Sequence, residues 1–255
     1  MRLAVVLAAG CFHPTASTDQ PCAASGACPT GQHCELAQSP PVCVGDNAGP
    51  PGDAPIDQGE SRDAADAVVP VTGVLTAAPV TLANGDVNLT AEGTLDWVHW
   101  GLTSVTSVDR KVAAGIIGDE TFVGTDTRKM ANQVALTSSW TDGKPDVTES
   151  KTPTAIAVVS PGGMTFAVPA SKTKSVLHVY IGLKDATAKL DLALSDGSAP
   201  AYHDTQTTSQ AQVAHLRYDV TFAAGGDGEQ LAITLTDTDD NATDGLVELI
   251  NATLE

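Results

Sequence analysis

The chain has 255 residues, and 31 acidic side chains against 13 Lys and Arg give it a formal net charge of −18. This charge argues against nucleic acid as a partner, because phosphate binding requires a surplus of Lys and Arg. It is compatible with a metal ion or a neutral glycan, and equally with an acidic surface that only keeps an exported protein soluble. After the first ten residues, short apolar runs are concentrated in residues 71–255, so we expect one large folded domain there and no sizeable core before it.

The first ten residues have the features of an export signal. A positive charge in the second position precedes an apolar run over residues 3–9, which is the order found in signal peptides and is too short to span a bilayer. The sequence Leu7-Ala-Ala-Gly-Cys11 resembles the lipobox of bacterial lipoproteins, although Ala8 stands where that motif usually has Leu. We therefore predict a signal peptide over 1–10 and a lipid on Cys11, which implies an exported protein anchored at the outer membrane or cell surface. The alternative is an ordinary apolar N-terminus with an incidental cysteine.

A cysteine-rich segment over residues 11–44 follows the signal. It has Gly and Pro turns and too few aliphatic residues to form a core, so two disulfides are predicted among Cys22, Cys28, Cys34 and Cys43. Four cysteines allow three connectivities, and the sequence does not choose between them. A zinc site formed by the same four cysteines, with or without His33, competes with this interpretation, but the spacings differ from the close Cys-x2-Cys pairs of structural zinc. The Cys-Pro-x-Gly-x-x-Cys motif from Cys28 to Cys34 resembles segments of myxobacterial-type surface lipoproteins.

Residues 45–70 read as a linker. Pro, Gly and acidic residues dominate this stretch and large apolar side chains are few, so the stretch cannot offset the entropy lost on folding. We predict a disordered spacer that holds the following domain, residues 71–255, away from the membrane.

The stretch Gly93–Gly101 contains two of the three tryptophans of a chain in which aromatic residues make up only 4%. In an extended strand Trp97 and His99 share one side, while Asp96, Val98 and Trp100 share the other. A large ring on each side predicts a strand that is covered on both faces, or one that has a face in the core and the other lining a recess.

Beyond this stretch, apolar residues recur at every second position between Gly-rich and Asp-rich turns. This period is typical of antiparallel strands with one solvated face, and the spacing of the runs indicates a β-sandwich. The clearest runs are 176–181, 189–194, 216–222, 231–236 and 246–250. No Gly-x-Gly-x-x-Gly or Gly-Lys-Ser/Thr loop is present, which excludes the common nucleotide-binding folds.

The Asp96-Trp97-x-x-Trp100-Gly101 motif, with its flanking residues and with residues 166–170, 179–182 and 194–199, resembles bacterial extracellular jelly-roll modules of the galactose-binding-like type. The resemblance covers residues 71–255. It implies an all-β, antiparallel sandwich of eight to ten strands, of a kind often attached to glycan-processing or surface proteins. It leaves the ligand open.

No catalytic constellation is evident in the sequence. There is no Gly-x-Ser-x-Gly elbow, and Asp96 and His99 fall on opposite faces of their strand, which weakens them as an acid–base pair. Glu92, Asp96 and Asp119 are the carboxylates that a hydrolase would need to bring together, but acidic residues are equally expected in turns. We therefore predict a protein that is not an enzyme.

No cofactor is predicted, and a structural calcium is the alternative that the sequence leaves open. Asp237, Asp239 and Asp240 are closely spaced oxygen ligands in an expected turn over residues 237–241. The loop lacks the Gly and distal Glu of an EF-hand, and Asp is favoured in any turn.

Ligand contact is predicted at the tryptophans, with Asp96 and His99 beside them. Trp97, Trp100 and Trp140 are candidates for a platform on which a sugar ring stacks, and Trp140 precedes a turn-rich loop, where binding groups often lie. The alternative is that all three rings are core residues, because Trp buries so much area. The sequence therefore favours a lipid-anchored, carbohydrate-binding module of the cell envelope. The competing hypothesis is a structural or adhesive module that docks another envelope protein and has no glycan ligand.

Overall fold

The computed structural model describes residues 22, 28, 32–35, 42–45, 72–112, 115–240 and 245–255. The chain divides into two compact units, Met1–Ala64 and Ala65–Glu255. The predicted signal peptide, the candidate lipidation site Cys11 and nearly all of the predicted linker over 45–70 lie outside the described residues.

The described part of the first unit is a two-stranded antiparallel hairpin with two disulfides. Strands β1 (Gln32–Glu35) and β2 (Val42–Gly45) pair with Cys34 opposite Cys43. Cys22 is bonded to Cys34 and Cys28 to Cys43, with Cα–Cα distances of 5.9 and 5.7 Å. The predicted disulfides are confirmed, and the sulfur atoms of these four residues are not free to bind zinc. Since disulfides persist in oxidising environments, the protein is extracytoplasmic.

The second unit is all-β apart from one helical turn. Its strands, in chain order, are β3 (Val74–Leu82), β4 (Gly85–Asn88), β5 (Asp96–Trp100), β6 (Val108–Lys111), β7 (Thr121–Val123), β8 (Lys129–Ala131), β9 (Leu136–Trp140), β10 (Gly143–Lys144), β11 (Glu149–Thr152), β12 (Ala155–Val158), β13 (Gly163–Ala170), β14 (Ser175–Lys184), β15 (Ala186–Leu194), β16 (Tyr202–Thr208), β17 (Ala214–Ala223), β18 (Glu229–Asp240) and β19 (Leu246–Leu254). The helix α1 spans Leu89–Glu92. No helix of the described residues has the length and hydrophobicity needed to cross a bilayer.

Two sheets face each other across the main core. In the described residues the larger sheet has nine strands in the order β10-β6-β5-β19-β14-β17-β3, with β12 and β8 joined to β19, and the other has five in the order β16-β15-β18-β13-β7. Alternate side chains of β15 and β17 are buried, as the period-two pattern predicted. The predicted antiparallel β-sandwich is confirmed, although its sheets hold more strands than the eight to ten that the resemblance implied.

A third layer covers the outer face of the larger sheet. It is a three-stranded sheet in the order β11-β9-β4, in which β4 and β9 pair in parallel. A second buried apolar cluster lies at this interface and includes Trp97, Trp140, Tyr180 and Ile250. The pairing of β14 with β19 is irregular between Tyr180 and Ile181, and this bulge leaves Ile250 unpaired in the ladder, so that its side chain joins the outer cluster.

Strand β5 lies between these two cores. Val98 and Trp100 belong to the main core, whereas Trp97 belongs to the outer cluster, and all five residues of the strand are buried. The first of the two predicted environments, a strand covered on both faces, is therefore the one observed.

The prediction of a turn at residues 237–241 is wrong for residues 237–240, which are part of a strand. Strand β18 continues through Asp240, and its last residues pair with Thr187 and Ala186 of β15. The register of β15 and β18 shifts between Thr187 and Ala188. Because this shift interrupts the alternation of buried and exposed side chains near the end of β18, polar residues are tolerated there.

Candidate ligand groove

The three tryptophans are packed in the two cores. Trp97 and Trp100 have no exposed surface and Trp140 is 1% exposed. The Trp97 and Trp140 rings lie 5.3 Å apart, and Trp100 lies 5.1 Å from the ring of Phe166. The sugar-stacking platform does not fit this arrangement, because no ring has a free face. The alternative of core packing fits all three.

Asp96 organises a loop and does not face solvent. Its Oδ2 accepts hydrogen bonds from the backbone amides of Ile116 and Ile117, at 2.7 and 2.8 Å, and from Gly115 at 3.3 Å. Its Oδ1 accepts from the amide of Trp97 at 2.9 Å. A carboxylate whose oxygens receive several amide hydrogens is strongly stabilised in place, so Asp96 fixes the chain that follows β6.

His99 is also fully buried. Its Nδ1 lies 2.7 Å from Oδ1 of Asn251, and its Nε2 lies 3.1 Å from Oγ1 of Thr154. Burial lowers the pKa of His99 to about 4, against the smaller opposing effect of its hydrogen bonds. A neutral ring with its proton on Nδ1 donates to Asn251 and accepts from Thr154, so His99 joins the layers as a polar core residue.

The candidate calcium ligands Asp237 and Asp239 differ in exposure. Asp237 is 2% exposed, whereas Asp239 points to solvent, and the amide of Asp239 donates to Oδ1 of Asp237 at 3.3 Å. The side chain of Asp240 lies outside the described part of the structure. Among the described residues, the group of potential metal ligands with suitable spacing is Cys22, Cys28 and Cys43, and these sulfur atoms are bonded in disulfides.

The three carboxylates considered for hydrolysis also have separate partners. Asp96 holds the loop described above and Asp119 pairs with Arg110. Glu92 accepts hydrogen bonds from the hydroxyls of Tyr180 and Thr253, at 2.5 and 2.7 Å. Each is committed to a different structural contact, so they do not form a catalytic pair.

A groove lies beside Glu92, where the sheet layers leave a gap. It has a volume of about 490 Å³. Its walls are the β3–β4 turn, helix α1, the start of β9 and the outer face of β14 and β17, and its lining includes Asp86, Asn88, Glu92, Tyr180 and Arg217. Leu82, Val87 and Leu136 supply apolar surface. The groove therefore combines apolar walls with a few polar groups, as small-molecule sites commonly do.

The helical turn α1 positions the acidic side of the groove. Oδ1 of Asn88 accepts a hydrogen bond from the amide of Ala91 at 3.1 Å, which is the contact expected of an N-cap residue. The amide of Gly93 donates to the carbonyl of Leu89 at 2.9 Å and closes the turn. Glu92 is thereby held against the hydroxyl of Tyr180.

The basic side of the groove is Arg217, whose guanidinium group is held by Asp219. Its Nε lies 2.6 Å from Oδ1 of Asp219 and its Nη2 donates to Oδ2 of the same residue at 3.1 Å. His178 Nδ1 lies 2.7 Å from Oδ1 of Asp219. The Arg217 side chain is 28% exposed, so its guanidinium is fixed in direction and still accessible.

The network around Arg217 sets the charge of the groove. Burial alone would raise the pKa of Asp219, but hydrogen bonds from Arg217 and His178 lower it. Burial and the hydrogen bond to Glu92 raise the pKa of Tyr180. The groove therefore offers a guanidinium group, carboxyl oxygens and a protonated phenol in fixed positions.

Sequence reasoning missed this groove. Arg217, Tyr180 and Glu92 lie in segments predicted as strands or near the tryptophan motif, and the polar face of their strands was interpreted as solvated. The alternation itself was the available signal, since it put Tyr180 and Arg217 on the faces opposite the apolar residues of their strands. Which of these polar residues lie together depends on register, which the sequence does not supply.

The fold and the two disulfides together define an extracytoplasmic protein whose larger unit is an all-β sandwich. No protein-family model matches the chain, and no curated protein matches it. Among solved structures, it is similar to the enzymatically active domain of tailspike protein 4 of bacteriophage CBA120, with 12% identity and a TM-score of 0.32 over 55% of this chain. That match spans only 19% of the tailspike chain.

Two carbohydrate-binding modules are similar to a comparable degree. TmCBM61, solved with beta-1,4-galactotriose, has 10% identity and a TM-score of 0.32 over 53% of this chain and 87% of its own. Xyl-CBM35, solved with a glucuronic acid containing disaccharide, has 14% identity and a TM-score of 0.26 over 38% of this chain and 68% of its own. Superpositions at these TM-scores are too poor to assign a family or a ligand, so the site is defined by this chain's own contacts.

Proposed function

We propose that the β-sandwich binds a carbohydrate in the groove formed by the β3–β4 turn, α1 and the outer face of β14 and β17. The observation that carries the proposal is the fixed guanidinium of Arg217 across from the carboxylate of Glu92, in a cavity of about 490 Å³ with apolar walls. Sugar hydroxyls both donate and accept hydrogen bonds, so paired donors and acceptors over an apolar wall suit a neutral mono- or disaccharide.

The proposed mode of binding does not use aromatic stacking. The indoles are buried, and the hydroxyl of Tyr180 is the part of an aromatic residue that faces the groove through its contact with Glu92. Affinity then depends on hydrogen bonds to Arg217, Glu92 and Asp86, with the half-buried Leu82 packing against the ring of the sugar. Such a site recognises the arrangement of hydroxyls more than the shape of a long chain.

The cavities favour this function over adhesion through a flat face. Large exposed apolar side chains of the described residues are spread over several strands and loops, and only Val74 and Val80 share a strand, β3; the others are Leu95, Val112, Ile116, Phe122 and Val147. A docking face for another protein is expected to gather such residues into one patch. The groove instead concentrates polar groups in a concavity.

The binding test is a glycan-array screen of the full chain, followed by calorimetry with the retained sugar. Arg217→Met should weaken binding at least tenfold, because a hydrogen bond to a charged group contributes about 1.5–3 kcal/mol. Ala91→Trp, at an exposed position on the rim, should block the groove without touching its charges. Lys189→Met, on the outer face of the other sheet, is the matched control. An array without any retained sugar, or equal affinities for all three variants, would remove the proposal.

We also propose that the protein is anchored by a lipid on Cys11, with residues 45–70 as a spacer. The disulfides support export, and the lipobox-like sequence Leu7-Ala-Ala-Gly-Cys11 supports lipidation. Metabolic labelling with a fatty acid should mark the wild-type protein and not Cys11→Ala. Equal labelling of both would exclude this anchor.

A further inference from the structure

A second cavity, of about 450 Å³, opens on the outer face of the larger sheet. Glu248 of β19 is part of its lining and is 3% exposed. Its Oε2 has no hydrogen-bond partner among the described residues. Buried polar atoms are nearly always paired, so a carboxyl group that lines a cavity and has an unpaired oxygen marks a position where a ligand is expected to supply the missing donor.

Gly182 makes room for this carboxyl group. It is opposite Glu248 in the β14–β19 ladder, and a Cβ at position 182 would lie 2.3 Å from Oε2 of Glu248. The carboxyl therefore lies flat over the backbone of β14. On the other side of Gly182, a methyl group of Val213 would lie 2.9 Å from the same Cβ and closes the cavity there.

The charge of Glu248 is uncompensated. Burial raises its pKa to about 7, because a buried carboxylate without a partner is costly. The charged or titratable groups near it are Lys184, which lines the cavity, and His215, which is opposite Gly182 in β17. Burial lowers the pKa of His215, so that ring is neutral at pH 7.

Lys184 and Glu248 share a wall of the cavity without forming an ion pair. Gly182 and Lys184 are two positions apart on β14, so their side-chain directions coincide, and they pair with Glu248 and Leu246 respectively. Among the described ion pairs, none joins the ammonium group of Lys184 to the carboxyl group of Glu248. The cavity thus presents opposite charges on one face with space between them.

We propose that this cavity binds a small zwitterion, with the size and charges of a free α-amino acid. Its ammonium group donates to Glu248, and its carboxylate faces Lys184. The amides of Asn132, Gln133 and Gln212 at the rim accept or donate the remaining hydrogen bonds. This site is separate from the carbohydrate groove and does not depend on that function.

The test is calorimetry of the full chain with the twenty protein amino acids, which identifies the best binder. Its N-acetyl derivative and its methyl ester each lack one charge and should bind at least tenfold more weakly. Glu248→Gln and Lys184→Gln should each reduce affinity by a similar factor. Glu255→Gln and Lys174→Gln, which do not line the cavity, are the matched controls and should bind as the wild type does.

The pH dependence of amino-acid binding is a second test of the role of Glu248. Only the ionised carboxylate pairs with an ammonium group, and with a pKa near 7 the ionised fraction rises from about one tenth at pH 6 to about nine tenths at pH 8. Apparent affinity should therefore rise roughly tenfold over this range, and this rise should vanish in Glu248→Gln.

Ala211→Phe tests the same cavity by obstruction, and it replaces Glu248→Gln if that variant does not fold. Ala211 is exposed at the rim, and a larger side chain there should obstruct the cavity while both charges remain. Two results would overturn the proposal. One is that no amino acid binds at about 10 mM ligand, which means a Kd weaker than the millimolar range. The other is that Glu248→Gln or Ala211→Phe binds the amino acid as tightly as the wild type does. Arg217→Met should leave amino-acid binding intact, so failure of the carbohydrate proposal is distinguishable from failure of this one.

Discussion

The ring of His99 lies 2.7 Å from the side-chain oxygen of Asn251, which also accepts a hydrogen bond from the hydroxyl of Ser138 at 3.0 Å. This contact joins β5 and β19 of the larger sheet to β9 of the outer layer. The polar cluster is fully buried beside Trp140. The attachment of the outer layer therefore depends on the neutral form of one histidine.

Acid should loosen this attachment. The pKa of His99 is about 4 in the folded protein and 6.5 without burial, so between these values the unfolded chain binds a proton that the folded chain does not. Stability is then fully present above pH 6.5 and falls as the pH drops towards 4, by about 3 kcal/mol. Denaturant unfolding at several pH values gives the free energy of unfolding of the wild type and of His99→Gln. The contribution of His99 is the difference between the two slopes of this free energy against pH.

His99→Gln should be less stable at pH 7 and should lose less stability between pH 6.5 and 4 than the wild type. His203→Gln, at an exposed position, is the control and should follow the wild type. If the unfolding free energies of wild type and His99→Gln change equally with pH, the lowered pKa of His99 does not account for the loss of stability in acid.

Asp96→Asn should destabilise the sandwich by about 2 kcal/mol, because an uncharged oxygen replaces the carboxylate that accepts the amides of Ile116 and Ile117. Asp239→Asn, on the solvent side of β18, should change stability little. Tryptophan fluorescence during urea unfolding measures both variants, since all three indoles lie in this unit. Equal midpoints for the two variants would show that Asp96 does not hold the loop.

Gly182→Ala should lower the unfolding free energy by about 1–3 kcal/mol, because its methyl group would meet Glu248 and Val213. Adding Glu248→Ala should restore part of this loss, since the closest atom is then absent. A double-mutant cycle by urea unfolding measures the coupling. Additive effects of the two substitutions would place the carboxyl away from Gly182.

Reduction of the disulfides should act on the first unit and leave the second unchanged. Each bond closes a short loop, with sequence separations of 12 and 15 residues. Because each bond limits the conformations of the unfolded segment, it stabilises the folded segment by about 3 kcal/mol. After reduction, proteolysis of residues 22–45 should accelerate while the fluorescence midpoint of the sandwich stays the same. A lower midpoint would mean that the sandwich depends on the disulfides.

The buried indoles predict a spectroscopic result for ligand binding. Trp97, Trp100 and Trp140 are at most 1% exposed, so iodide should quench the native protein weakly and an added sugar should leave that quenching unchanged. Stern–Volmer slopes for native and urea-unfolded protein provide the comparison. Strong native quenching that a bound sugar suppresses would restore the stacking platform.

Period-two alternation was sufficient to predict the sandwich and its strands β14, β15, β17, β18 and β19, because one face of each is apolar whatever its neighbours are. The same local argument failed at residues 237–240. There Asp is common both in turns and at the polar end of a paired strand, and only the partner strand β15 decides between them. The tryptophans were similarly ambiguous, since a buried and an exposed ring have the same sequence pattern.

The sequence by itself determined the all-β class, the two-faced strand β5 and the need for disulfides, because these follow from composition and from a repeat that acts over neighbouring residues. Only the tertiary structure decided which cysteines pair, which rings are buried and where the cavities lie. Tyr180 and Glu92 are 88 positions apart, and Gly182 and Glu248 meet through the register of two strands. Contacts of this kind depend on register and layer packing, which arise from the whole fold and leave no local signal in the chain.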